Sequence, residues 1–162
     1  MTAGERALMR GLFQEVYLQE LVREVYGSYA ARLRDPEGRR LLEAYLTAEA
    51  DRGRRIARCL DGRGLAPAPV VRRLFALCGR VYGRVTALLG TRVMLRIALS
   101  SGERASRRAC EALGGSPAPD LLYLTTLRAR NEGDLVDGLR QHLIDTRPGP
   151  PRHPSSPPRP RP

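Results

Sequence analysis

The chain has 162 residues and a formal net charge of +11, with 28 basic residues against 17 acidic ones. That length is one ordinary domain, long enough to bury a real core. All the basic residues are arginine; together with abundant Ala, Leu and Gly this fits a biased composition first, with an anionic partner such as phosphate or lipid as the alternative. Cys59, Cys78 and Cys110 have no metal-type spacing and read as small apolar residues in a reducing compartment. The opening "MTAGERALMR" has charges where a leader needs an apolar run. No window approaches the roughly 18 apolar residues of a membrane span. The expectation is a cytoplasmic protein, at most peripheral to a membrane.

In chain order, Thr2 and Glu5 form a capping box that starts a first helix running to about Leu33. Its stripe is Leu12, Val16, Val22, Tyr26, Tyr29 and Leu33, with Gln19 set among them. Asp35-Pro36 caps and opens a second helix over 36–61, antiparallel to the first across a short turn. "DGRGLAPAP" ends it. A third helix begins near Pro69 and carries Val71, Leu74, Phe75, Cys78, Val81, Tyr82 and Val85. Gly90 breaks it, and Thr91 caps a continuation through Leu113. "GGSPAP" is a loop, and a last helix spans about 120–144. No alternating strand pattern occurs. From Thr146 the chain is "TRPGPPRHPSSPPRPRP", expected to be a disordered or polyproline-II basic tail. The domain expectation is a helical bundle over 1–145 and a tail over 146–162.

Polar residues interrupt the apolar stripes. On the second helix Leu42, Tyr45, Glu49, Arg52, Ile56 and Leu60 fall within roughly 80° of one another at about 100° per residue. Glu49 and Arg52 therefore point at the core. On the last helix Asn131 and Asp134 share a side with Leu124, Leu127, Leu135, Gly138 and His142. On the fourth segment Ser101 shares a side with Met94, Ile97, Ala105 and Ala109. Glu49/Arg52 and Asn131/Asp134 are both i, i+3 pairs, neighbours on a helix surface.

Four antiparallel helices with polar groups at mid-height resemble the ferritin-like di-iron carboxylate bundles. "YGSYAARLRDPEGRRLLEAYLTAEADR" is similar to the run from first to second helix in such proteins, and "GRVYGRVTALLGTRVM" to a Gly-x-x-x-Gly helix and break in demethoxyubiquinone hydroxylases; rubrerythrin-like proteins share the pattern. The resemblance implies an all-α, ferritin-like four-helix bundle whose third helix is broken near Gly90. It also implies a di-iron site, and this chain departs from it. The first-helix glutamate falls on Gln19 or Val22, the second-helix Glu-x-x-His becomes Glu49 and Arg52, and the last Glu-x-x-His becomes Asn131 and Asp134. The third carboxylate falls near Gly102 or Glu103, and Glu103 should face solvent.

These residues allow two arrangements. In one, Arg52 replaces the metal and bridges Glu49 and Asp134, with Gln19, Ser101 and Asn131 completing a metal-free polar network. In the other, Arg52 snorkels to solvent and Glu49 pairs with a neighbour. Iron held by an altered ligand set is a further alternative. The expected function is a non-catalytic scaffold or binding protein with an unidentified protein partner or a second copy of itself. The rivals are an active di-iron hydroxylase or oxidase on a quinone-like substrate, and arginine-mediated binding to nucleic acid or an anionic membrane. The enzyme question stays open and leans to no.

Gly79, Gly83 and Ala87 form a small-residue face that lets helices approach closely. Arg73, Arg80 and Arg84 line another side of that helix, and an apolar helix with such a row can lie on an anionic membrane. The resembled hydroxylases are themselves membrane-associated. His142, well along the axis from Asn131, reads as a core or end-of-helix histidine. The scarcity of aromatics away from the core counts against base stacking.

Overall fold

The computed structural model describes residues 3–113 and 119–146, and among these every regular element is a helix. Five occur: α1 (Ala3–Ala30), α2 (Pro36–Asp61), α3 (Pro69–Ala87), α4 (Thr91–Leu113) and α5 (Pro119–Asp145). The expected Thr2–Glu5 capping box, the loop at 114–118 and the tail from 147 lie outside the described residues.

Local chemistry sets the boundaries of α2. The Asp35 carboxylate accepts from Gly38 N–H at 3.1 Å, and Pro36 occupies the first turn, where its missing N–H costs nothing. His142 Nε2 meets the same carboxylate oxygen at 2.5 Å, which ties the end of α5 to the start of α2. At the other end Gly64 adopts φ +64°. Leu65 N–H then reaches back to the Leu60 carbonyl at 3.0 Å, and Gly64 N–H to that of Asp61 at 2.9 Å. This is the six-to-one and five-to-two pairing of a Schellman stop, and Leu65 packs on the apolar cluster below it.

Side-chain pairings give the directions of the helices. Tyr26 packs against Tyr45, and Glu15 meets Arg52, so α1 and α2 are antiparallel. Asn131 meets Glu49 and Tyr123 meets Arg55, so α5 is antiparallel to α2. Tyr17, Glu24 and Tyr29 on α1 meet Ala68, Arg80 and Thr86 respectively, so α3 runs parallel to α1. Arg140 meets Glu103 and Arg92 meets Thr146, so α4 is antiparallel to α5. It follows that α3 and α4 point in opposite directions. The sequence predicts a break at Gly90, but the chain reverses there instead of continuing the third helix. Gly90 takes φ +93°, a conformation open to glycine, and α4 leaves α3 with few contacts between them. The helices thus pack in the order α3, α1, α2, α5, α4.

The face of α3 also differs from its hydropathy pattern. Gly79, Gly83, Thr86 and Ala87 are its buried residues. A Cβ on Gly79 would collide with the Leu21 carbonyl and lie 3.0 Å from Leu21 Cα; one on Gly83 would lie 2.9 Å from Val25 Cα. The two backbones touch, so bare glycine and not leucine marks the contact. Of the three cysteines read as small apolar residues, Cys78 and Cys110 are exposed and Cys59 is half-buried.

The apolar core is split. The upper cluster holds Tyr26, Tyr29, Leu33, Leu42, Tyr45, Met94, Leu95, Ala98, Leu135 and Leu139, with Ala87 from α3. The lower cluster holds Leu12, Ile56, Leu60 and Leu124. Burying one such leucine or isoleucine contributes about 1.5–3 kcal/mol. The residues between the two clusters on α1, α2 and α5 are the polar ones.

Candidate functional site: an ionic layer at mid-height

Arg52 is the centre of this layer. Its side chain is 3% exposed. Its Nε lies 3.0 Å from each oxygen of Glu49, and its Nη2 donates to Glu49 Oε2 at 2.7 Å. The remaining arm, Nη1, donates to Glu15 Oε2 at 2.5 Å. The other oxygen of Glu15 accepts from Arg128 on α5 at 2.6 Å. Asn131 donates to Glu49 Oε1 at 2.8 Å, and the Gln19 amide donates to the Glu49 carbonyl. A guanidinium presents donors in a rigid fork that suits two carboxylates. Burial works against the charge on Arg52, but the hydrogen bonds and fields of Glu49 and then Glu15 outweigh it, and its pKa is raised.

Two acids and two bases make this layer neutral. A third acid, Glu132, lies beside it and is also 3% exposed. Tyr45 donates to its Oε1 at 2.7 Å, while its Oε2 has no hydrogen-bond partner among the described residues. The Glu132 carboxyl is pushed up to about 7, chiefly because burial penalises its charged form; the Tyr45 hydroxyl and then Arg128 pull the other way, and Glu49 adds to the rise. The pKa values of Tyr45 and Tyr26 are raised as well, first by burial and then by Glu132.

The sequence-predicted residues divide. Gln19, Glu49, Arg52 and Asn131 meet in this layer. Asp134 does not: its side chain is 77% exposed, and among the described residues its ion-pair partner is Arg130 at 4.0 Å. The inward face of α5 runs through Leu124, Arg128, Asn131, Glu132, Leu135 and Leu139, which leaves Asp134 about 60° beyond its edge at Asn131. Ser101 is also outside the layer; it is half-buried on α4 and has a 3.4 Å contact with Arg104. Glu103 pairs with Arg140 near the surface. Glu15, Arg128 and Glu132 are the buried or half-buried members that periodicity alone passed over. Glu15 stands one turn before Gln19, and Arg128 lies about 40° from Leu124, so both were inside the relevant arcs.

This donor set does not fit a di-iron centre. Both oxygens of Glu15 and both of Glu49 are engaged by arginine or asparagine, and the space between them holds a fixed cation. Among the described residues no three His, Cys, Asp or Glu side chains converge in a metal-holding group.

The membrane-facing candidates are on α3 and at its end. Val70, Leu74, Leu77, Val81 and Val85, with Leu88 just past the last turn, are each more than half exposed. They occupy an arc of about 80° on the helix wheel, opposite the glycine seam. Arg73, Arg80 and Arg84 flank this arc on one side; all are exposed, and Arg80 is held at 3.1 Å by Glu24. Among the described residues no helix is long and apolar enough to cross a membrane.

Comparison of the chain with protein-family models, curated proteins and solved structures finds no match.

Proposed function

We propose that this chain is a non-catalytic helical-bundle binding protein of ferritin-like descent, with a fixed ionic layer where such bundles hold two irons. The observation that supports the reading is Arg52: a buried guanidinium spanning Glu49, the one carboxylate the resemblance retains, and Glu15 supplies the positive charge a metal would bring. The reading is tested by elemental analysis of protein made in iron-replete cells. The expected iron content is negligible; about two irons per chain, or oxygen consumption with a quinol, would establish the hydroxylase rival instead. Arg52→His serves as the second arm, because it returns an imidazole to the second-helix motif.

The binding surface we assign is α3, and its occupant an anionic membrane. An exposed apolar stripe about 27 Å long, flanked by Arg73, Arg80 and Arg84, has the make-up of a helix lying in a headgroup layer. A second copy is disfavoured, because it would bring another net charge of +11 against the first. Flotation with phosphatidylglycerol vesicles should capture the protein, and flotation with phosphatidylcholine vesicles should not. Nucleic-acid binding is the rival use of the arginines; it would show itself as affinity for duplex DNA falling steeply with salt.

A further inference from the structure

Beside the apolar stripe, the seam between α1 and α3 opens into a cavity of about 310 Å³ lined by four arginines: Arg23 and Arg32 from α1, Arg80 and Arg84 from α3. One carboxylate, Glu24, is among them. It holds Arg80 at 3.1 Å and touches Arg23 at 3.4 Å, and the first of these hydrogen bonds is the main reason its pKa is lowered. Arg23 also reaches Glu20 at 2.9 Å. Arg84 forms no ion pair among the described residues, and Arg32 makes only a 3.5 Å contact with the Ser28 carbonyl. The cavity wall therefore carries three more positive charges than negative ones. Gly27 forms part of that wall, and a Cβ there would meet nothing within 4 Å.

We infer that this cavity is a phosphate-binding subsite, formed by Arg32 and Arg84 with Arg23 and Arg80 beside them. The chemistry is that of a planar guanidinium, whose paired donors match two phosphate oxygens and keep their charge at any physiological pH. Among the described residues, Arg32 and Arg84 have no carboxylate to give up before binding. Helix packing fixes the position of the site. Gly83 brings α3 against α1 at Val25 and Ser28, which places arginines of both helices on one wall. On the wheel, Arg80 and Arg84 lie between the apolar stripe and the glycine seam. With the stripe laid in a membrane, the cavity mouth stands beside it, at the depth of the lipid phosphates. The source of the phosphate rests on the membrane reading above; the subsite itself does not, because a free phosphomonoester offers the same oxygens.

The test uses the full chain with two probes: vesicles containing phosphatidic acid in phosphatidylcholine, and sn-glycerol 3-phosphate in solution. The subsite variants are Arg32→Gln/Arg84→Gln and Gly27→Gln, the second filling the cavity without removing a charge. Arg54→Gln/Arg130→Gln, at exposed sites elsewhere, controls for lost charge, and Leu77→Ser/Val81→Ser disrupts the stripe. Both subsite variants should weaken vesicle binding by about tenfold or more, and the charge control by about threefold or less. If the wild type binds vesicles and the subsite variants match the charge control, the subsite is refuted while the membrane reading stands. If vesicles fail but glycerol phosphate binds and both subsite variants abolish that binding, the subsite stands and the membrane reading falls. If neither probe binds, both are wrong.

Discussion

Replacing Glu132 by Gln should reshape how stability depends on pH. The layer beside it already balances two carboxylates against two guanidiniums, so an ionised Glu132 would be a surplus charge. It faces Tyr45, Glu49 and Arg52 from α2, with Arg128 on its own helix, and a Cβ on Gly102 of α4 would lie 3.5 Å from Oε2. The folded state holds its proton up to about 7, against an ordinary value of 4.5. Below the ordinary value both folded and unfolded chains are protonated at this position, and the contribution is fully present. Between the two values only the unfolded chain releases the proton, so stability falls as pH rises. Above about 7 the loss is complete. At about 1.36 kcal/mol per pH unit, that interval corresponds to roughly 3 kcal/mol. Glu132→Gln removes the titration but keeps an oxygen for the Tyr45 hydroxyl. Urea unfolding followed by circular dichroism, in steps from about pH 4.5 to about pH 8, should show the variant gaining on the wild type by roughly 3 kcal/mol across the series. Parallel stability curves for the two proteins would refute the account of a protonated carboxyl.

Other substitutions test other parts of the fold. Arg52→Met should destabilise by about 3–5 kcal/mol, because Glu49 is left buried without its cation; adding Glu49→Leu should recover part of that loss, and a double-mutant cycle in urea measures the coupling. Gly79→Ala should cost about 1–3 kcal/mol through its collision with the Leu21 backbone. Gly27→Ala, with open space around the new methyl, should instead stabilise by about 0.5–1 kcal/mol, and thermal melts of the pair separate the two effects. Asp35→Ala removes both the α2 cap and the His142 contact, and should cost about 1–2 kcal/mol in the same assay.

Much of the helix pattern was legible because caps and periodicity agreed. Asp35-Pro36 and the Gly64 stop bracket α2, and its six-residue core stripe is buried along its length. The phase of α5 was harder to read. Its polar core residues, Arg128 and Glu132, are discounted by any hydropathy count, and without them the arc drifts toward Asp134. Only the partner groups on α1 and α2 make it favourable to bury them. On α3 the contact itself was legible: Gly79, Gly83 and Ala87 were expected to let helices approach closely, and they are among its buried residues. The leucine and valine stripe on the other side, which hydropathy alone would place inside, is exposed. The direction of α4 was not encoded locally at all; Gly90 permits a turn, and its sense is set by packing of α4 on α5.

The mid-height layer also constrains the order in which the molecule can be completed. Glu15 is joined to Arg128 across 113 residues, and Glu49 to Asn131 across 82. As the chain leaves the ribosome, the α1–α2 hairpin carries two acids of this layer against a single base. It carries that imbalance through the making of α3 and α4, until the last helix delivers the missing cation. A chain cut short before Arg128 would keep most of its helices and still lack electroneutrality at its heart.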